Sequence, residues 1–383
     1  MPHPPRSLVG RDSENMRAVG VTARPPVGTA AAALAWVEVG CPVPKRGQVR
    51  VRVMAAGVNR DDLHAMEGTV FGGIPVTSRP TTDAPLVPGM ELAGVVDAIG
   101  DGVEGLQVGQ RVFGVVYMQK LGGLAPFCCT NATLLRPLPE RWSYVEGAAI
   151  GFSGSVAAMA VQSGGVVAGK RCLVVGASGN IGGLIVQVLQ AAGAAEVVGI
   201  CGGPNVAHVE GLGADRVVDY TKGPWVDALK QDEGSFDRVF DCVGGTDTES
   251  AARRLLNPTG HFVTLCGPMA HLGGVLAPWH RILRSLAYIG WRVLVSRLRG
   301  PRYTFVSGSA PDWSALERLV LDRDVRPVVE RTCPLAPDAV ADAMTRLMGR
   351  HRCGKQVVLI GTTDEPTPSP VPSLHHTVLF GHQ

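Results

Sequence analysis

Glycine recurs every third residue at Gly176, Gly179 and Gly182, within the run Val174-Val-Gly-Ala-Ser-Gly-Asn-Ile-Gly182. The apolar run Arg171-Cys-Leu-Val-Val175 precedes it, and Ile181, Leu184, Ile185, Val188 and Leu189 follow at the spacing of one helical face. Strand, glycine turn and helix in that order leave backbone N–H groups and the positive end of a helix dipole facing outward, a ready seat for a pyrophosphate. Gly176 serves the tight turn, Gly179 lets the backbone approach phosphate, and Gly182 lets the helix pack on the strand; Ala177, Ser178, Asn180 and Ile181 complete the cradle. The spacing is G-x-x-G-x-x-G rather than G-x-G-x-x-G, so the flanking pattern carries the reading more than the glycines do.

The elements that must hold this turn follow from the same patterning. Strand candidates at 171–175, 196–201, 216–219, 237–242, 261–266 and 303–307 alternate with helices, which argues for a doubly wound parallel sheet. A helix over Glu146 to Gln162 leads into it. Before about Pro137 the chain is β-rich: Gln48-Val-Arg-Val-Arg-Val53 alternates as a half-exposed strand, and glycine-punctuated strands follow at 88–100 and 108–116, suggesting a barrel-like β domain. Residues 67–88 read as a surface loop over a cleft. A helix from Val340 to Met348 and a last strand from Lys355 to Ile360 return the chain to the first domain near Pro334. The expected organisation is 1–15 a disordered lead, 16–136 with 335–361 the β domain, 137–334 the nucleotide-binding domain, and 362–383 a disordered tail.

Bulk properties agree with an α/β protein of two domains: 383 residues, 45% hydrophobic and 18% charged. A net charge of +3 gives no argument for nucleic acid. The nine cysteines form no C-x-x-C and read as free, reduced thiols of an intracellular protein, cytoplasmic or mitochondrial. No transmembrane helix is expected, and Asp12 and Glu14 make the lead a poor mitochondrial presequence.

Gly57-Val-Asn59, Pro88-Gly-Met-Glu91, Gly109-Gln-Arg-Val-Phe-Gly114, the turn at 176–182, Leu212-Gly-Ala-Asp215, Asp219-Tyr220, Asp241-Cys-Val-Gly-Gly245 and Gly354-Lys355 occur in that order. Over about residues 16–361 the chain closely resembles the medium-chain dehydrogenase/reductase superfamily, and within it the zinc-free quinone oxidoreductase branch. The resemblance implies a GroES-like barrel domain with a Rossmann domain inserted in it, NADPH as cofactor, and hydride transfer to a quinone or other conjugated carbonyl. A 2-enoyl thioester reductase and a nucleotide-binding partner protein with little turnover remain as alternatives. Related proteins are commonly dimers, so a homodimer is an expected state.

Zinc members of this family use Cys and His where this chain has Asn59 and Met90, and Glu91 alone cannot hold a catalytic zinc. No metal is expected, and Glu91 reads as a buried acid that fixes a loop. NAD binders carry an acid at the end of the second strand; here that end is Ile200-Cys201-Gly202-Gly-Pro204, which permits a 2′-phosphate, with Tyr220 and Lys222 as its contacts. By family position Val243, Leu265, Cys266, Gly267, Phe305 and Ser307 line the nicotinamide, while Arg352, Gly354 and Lys355 close over the cofactor. Relatives that reduce enoyl thioesters use a tyrosine where this chain has Phe71, which cannot donate a proton. Asn59 is the candidate to hydrogen-bond an acceptor carbonyl, its alternative being a helix cap; Tyr117 is a reserve donor, and Asp62 reads as a cap or brace. Residues 281–302 hold six arginines and no acid among apolar residues. They read as a surface helix that is solvated or paired at a subunit interface, or alternatively as a peripheral contact with an anionic membrane.

Overall fold

The strand that opens with the alternation at Gln48 continues to Gly57, its last five residues all buried, and sits in the middle of the barrel sheet. The computed structural model describes residues 15–70, 74–75, 79–116, 122–268, 279–306, 311–349 and 353–361. In chain order come β1 (Asn15–Gly20), β2 (Ala35–Gly40), β3 (Gln48–Gly57), α1 (Arg60–Glu67), β4 (Thr69–Val70), β5 (Ile74–Pro75), β6 (Glu91–Ile99), β7 (Arg111–Val115), β8 (Phe127–Asn131) and β9 (Leu135–Pro137). Then follow α2 (Tyr144–Gly164), β10 (Arg171–Val175), α3 (Asn180–Ala191), β11 (Glu196–Cys201), α4 (Val206–Gly211), β12 (Arg216–Asp219), α5 (Trp225–Ala228), β13 (Phe236–Asp241) and α6 (Thr246–Leu255). The described chain closes with β14 (Leu256–Thr264), α7 (Trp279–Leu298), β15 (Arg302–Phe305), α8 (Trp313–Leu316), β16 (Val329–Pro334), α9 (Pro337–Met348) and β17 (Lys355–Leu359).

The barrel sheet runs β16-β17-β3-β6-β7-β9, with β8 also paired to β3. Val49, Val51 and Val53 turn inward and are buried while Arg52 is exposed, so the period-two pattern sets which face meets the core. The return to this sheet comes earlier than Pro334: β16 is already paired parallel to β17 from Val329. Nothing in Val329-Glu-Arg-Thr-Cys-Pro334 marks its sheet, because strand partners 20 and more residues away leave no local trace.

The second sheet is parallel throughout, in the order β12-β11-β10-β13-β14-β15. The strand candidates fall where the apolar runs put them, with ends shifted by a few residues. From β10 the sheet grows one way through β11 and β12 and the other way from β13 onward, so the crevice at the end of β10 is the topological switch point.

Helix α2 joins the two sheets. Ser143 caps it, its hydroxyl accepting from the Glu146 N–H while the Glu146 carboxylate accepts from Ser143. Its small residues allow close backbone approach: a Cβ on Gly57 of β3 would lie 2.2 Å from the Ala148 carbonyl oxygen, and one on Gly151 2.9 Å from that of Gly114. One continuous core therefore runs from Phe113 of the barrel through Ala148, Ile150 and Ala157 of α2 to Val174 of β10. By length and composition alone α2 could cross a bilayer, contrary to the reading of the sequence, but 83% of its most apolar window is buried inside the protein.

Candidate active site

The glycine turn leaves β10 at Gly176, whose φ of +83° favours glycine. The N–H groups of Gly176 and Ala177 both donate to the Ile200 carbonyl at 3.0 Å, fixing the turn to the neighbouring strand. A Cβ on Gly182 would sit 2.2 Å from the Gly176 oxygen, so the first turn of α3 can press on the strand end only without a side chain there. Asn180, the first residue of α3, has both its side-chain Nδ2 and Oδ1 buried without a hydrogen-bond partner. An orphaned amide at a helix N-terminus is costly unless a ligand completes it. The residues present therefore fit a dinucleotide pyrophosphate. Ala177 is fully buried, and Ile181 packs on the core beneath. Gly354 meets this turn, its N–H donating to the Ser178 carbonyl at 3.3 Å and its backbone bridging Gly179.

On the other side of the switch point a buried carboxylate organises two loops. Asp241 accepts from the N–H groups of Val243 and Gly244, both at 2.9 Å, and from the Thr264 hydroxyl at 2.8 Å. Thr264 Oγ1 in turn accepts from the N–H groups of Cys266 (3.3 Å) and Gly267 (3.0 Å). The chain ends of β13 and β14 are thus pinned together, and Phe305 stands beside Gly267. Leu265 is bonded through its N–H to the Asp241 carbonyl. Burial pushes the Cys266 thiol up to about 12 and Cys242 well above its usual range, so neither thiol is a nucleophile at neutral pH. Asp241 appears in the sequence within the Asp-Cys-Val-Gly-Gly run, and an acid at the end of a strand is the sequence signal for its role.

At the end of β11, Cys201 is buried and its thiol pushed up to about 11 by desolvation, and Gly202 opens a short turn. No acid stands on this strand end, but one reaches it from the next strand. Asp219 at the end of β12 accepts from the N–H groups of Thr221 and Gly203 and from the Thr221 hydroxyl. Tyr220 and Lys222 follow on the exposed side of that turn.

The structure departs most from expectation at Lys355. Its ammonium is not turned toward the glycine turn but is 2% exposed at the junction of α1, α2 and the barrel. It donates to Glu91 Oε2 at 2.5 Å, Asn59 Oδ1 at 2.6 Å and Ser153 Oγ at 3.1 Å. Asn59 Nδ2 donates to the same carboxylate at 3.2 Å, and Glu91 Oε1 accepts from the Phe152 N–H at 3.0 Å. Both ends of the Asn59 amide are therefore occupied inside the protein, which removes it as the group that would hold an acceptor carbonyl. The donor set around Glu91 does not suit a metal either, since an internal cation already sits among Asn59 and Glu91 and Met90 is buried beside them. Ser153, within a run of Gly, Ala and Ser, carries no signal in the sequence.

Asp62 braces as expected: Oδ2 accepts from the Asn59 N–H and Oδ1 from the Gly89 N–H, both at 2.8 Å. Asp61 stands beside it in the first turn of α1. Desolvation raises its pKa against the fields of His64 and Lys355, and it stands close enough to the Cys266 thiol to perturb it. Burial lowers the His64 pKa in the opposite sense. Tyr117, Ser307 and Arg352 lie outside the described residues, as does Phe71.

This geometry has known relatives. The family model "Alcohol dehydrogenase GroES-like domain" matches residues 45–170 and "Zinc-binding dehydrogenase" matches 212–358, leaving the glycine turn between them. The mitochondrial NAD(P)H oxidoreductase RTN4IP1 of Danio rerio is 32% identical over 329 residues, which cover 82% of this chain and 84% of the relative. The chloroplast envelope quinone oxidoreductase homolog of Arabidopsis thaliana is 28% identical over 338 residues, covering 86% of this chain and 95% of the relative. The solved quinone oxidoreductase of Coxiella burnetii superposes with a TM-score of 0.72 at 21% identity, covering 91% of this chain and all of that one, a likeness of fold. A GroES-like barrel, a Rossmann sheet and a glycine turn at its switch point, with a relative above 30% identity along most of the chain, place the protein in the medium-chain dehydrogenase/reductase superfamily as an NAD(P)H oxidoreductase.

Proposed function

We propose that the protein binds NADPH and reduces a quinone or another conjugated carbonyl without a metal. The observation that carries this reading is the closed cluster of Lys355, Glu91, Asn59 and Ser153, which fills the place where family members that use zinc hold their catalytic ligands. Without a Lewis acid there, a simple ketone has nothing to stabilise its developing alkoxide. A quinone or enone spreads that charge over its own conjugated system. The relatives named for quinones, for 2-methylene-furan-3-one and for trans-enoyl reduction reduce acceptors of this electronic type.

The bound dinucleotide would supply the hydride. The turn at Gly176–Ile181 and the Asn180 amide would seat its pyrophosphate. Val243, Leu265, Cys266, Gly267 and Phe305, on loops pinned by Asp241 and Thr264, would position the ring and exclude water from one side. Asp61 is the candidate to return a proton: it stands close enough to Cys266 to perturb its thiol, and desolvation raises its own pKa. NADPH is favoured over NADH because the β11 end lacks an acid of its own, the Asp219 carboxylate is engaged by three donors, and Lys222 stands exposed nearby. The names of several relatives favour a mitochondrial setting over the cytoplasm.

Steady-state oxidation of NADPH and of NADH against a panel of quinones, enones and simple ketones tests the whole reading. Turnover should need a conjugated acceptor, persist after chelator treatment and prefer NADPH. Its protonation limb should fall as pH rises through the raised pKa of Asp61, and Asp61→Asn should flatten that limb. Turnover of simple ketones, or preference for NADH, would overturn the acceptor or the cofactor assignment respectively. Tight binding with no turnover on any acceptor would favour a nucleotide-binding partner protein.

A further inference from the structure

Leu283, Leu286, Trp291, Leu294 and Leu298 of α7 are 54–78% exposed, and among the described residues no other element carries more than one such large apolar side chain. At 100° per residue they fall within about 140° of the helix circumference, with the small residues Ala287 and Gly290 between them. Arg284 borders one edge of this stripe and Arg297 lies just inside the other; Arg299 and Arg302 extend the charge past the helix end, and all four are exposed. No Asp or Glu occurs from 279 to 302, and no described carboxylate pairs with these four arginines.

The inner face of the same helix is locked. Arg292 Nε donates to Glu249 Oε1 at 2.5 Å with both side chains buried, and the Tyr288 hydroxyl donates to Glu249 Oε2 at 3.0 Å. Arg292 also lies over the Tyr303 ring. The helix is thus fixed to α6 and β15, and its outer face is presented rather than free to fold back. Ile289 stands beside Gly267, so α7 borders the loop after β14 in the candidate site.

We infer that α7 is an interfacial helix that lies on an anionic phospholipid surface, its apolar stripe set among the acyl chain ends and its arginines paired with lipid phosphates. An apolar stripe containing a tryptophan and edged by arginine is the composition such helices need. Charge argues against a second copy of the chain as the occupant. A two-fold antiparallel pair centred on Gly290 and Trp291 would set Arg284 of each copy opposite Arg297 of the other, with no acid on either helix to neutralise them. Vesicle binding does not depend on which acceptor takes the hydride, so it stands or falls separately from the proposed reaction.

Flotation of the purified chain with vesicles of phosphatidylcholine, alone or mixed with phosphatidylglycerol, tests the inference. Binding should require the anionic lipid and weaken with salt. Arg284→Gln, Arg297→Gln and Arg299→Gln should each lower the partition coefficient about fivefold at low salt. Trp291→Ser with Leu294→Ser should abolish binding while NADPH binding stays unchanged, since both side chains are more than half exposed and the Trp291 ring packs on Tyr288 and Arg292 of its own helix. No binding to either vesicle, or binding that these substitutions leave intact, would overturn the inference. So would light scattering that finds a lipid-free dimer which the Trp291 and Leu294 substitutions convert to monomer.

Discussion

The Lys355 ammonium is held by Glu91, Asn59 and Ser153, and each partner comes from a different element. A buried ion pair of this kind adds little net stability over a well-packed apolar pair, but removing one partner leaves the other charge without solvent or counterion. Lys355→Met should therefore destabilise the protein by about 3–5 kcal/mol, read as a shift in the urea midpoint. Adding Glu91→Gln should recover much of that loss, because the amide no longer requires a cation. A single substitution that leaves the midpoint unchanged would show the pair to be solvated. The same cluster explains what the residue types could and could not say. Asn59 and Met90 in place of Cys and His were enough to argue against a zinc ligand set. That the space would be taken by an ammonium 296 positions along the chain from Asn59 was not readable, because a contact between distant segments has no local pattern.

Among the elements, sequence pattern and structure agree wherever one face meets a core. The central parallel strands β10 and β11 are short apolar runs buried on both faces, and the amphipathic spacing from Ile181 to Leu189 marks α3. The role of α2 as a spine was less legible, because its apolar residues surround the helix and leave no single face to detect. The glycine turn makes the tightest test. Gly182→Ala puts a methyl group 2.2 Å from the Gly176 carbonyl oxygen, a backbone atom that can move only with β10 or α3. We expect NADPH affinity, measured by fluorescence titration, to fall by about 1–3 kcal/mol as the cradle is displaced. Gly211→Ala, at the end of α4 with nothing within 4 Å of its added carbon, is the matched control and should leave affinity unchanged while raising stability by about 0.4–1 kcal/mol. Equal effects from both would mean that the close approach at Gly182 does not shape the site.

Across the whole molecule, two buried groups make the domains respond to acid in opposite directions. In the nucleotide domain His261 links β14 to the edge strand β15 through Thr304 Oγ1 at 2.8 Å, and burial with Arg238 nearby lowers its pKa to about 4. A histidine with a depressed folded-state pKa contributes stability that is present above its unfolded value and is lost as pH falls toward about 4. In the barrel domain Asp62 is raised to about 7 by desolvation, against the N–H groups it accepts from Asn59 and Gly89. Its sign is reversed: the contribution is complete below the unfolded carboxyl value and is lost as pH rises through about 7. Between pH 7 and 4, then, the proton load strengthens the start of α1 and weakens the β14–β15 edge. Because α2 ties the two sheets into one core, a melting curve would average these effects, whereas amide hydrogen exchange resolves them by segment. Acidification from pH 7 to 4.5 should speed exchange in 256–264 and 302–305 relative to 60–67, after correction for the intrinsic pH dependence of exchange. His261→Gln, which keeps a polar partner for Thr304 but cannot charge, should remove the acid-induced part of that difference. Parallel loss of protection in both segments, or a difference that survives His261→Gln, would show that these two groups do not set the order in which the domains open.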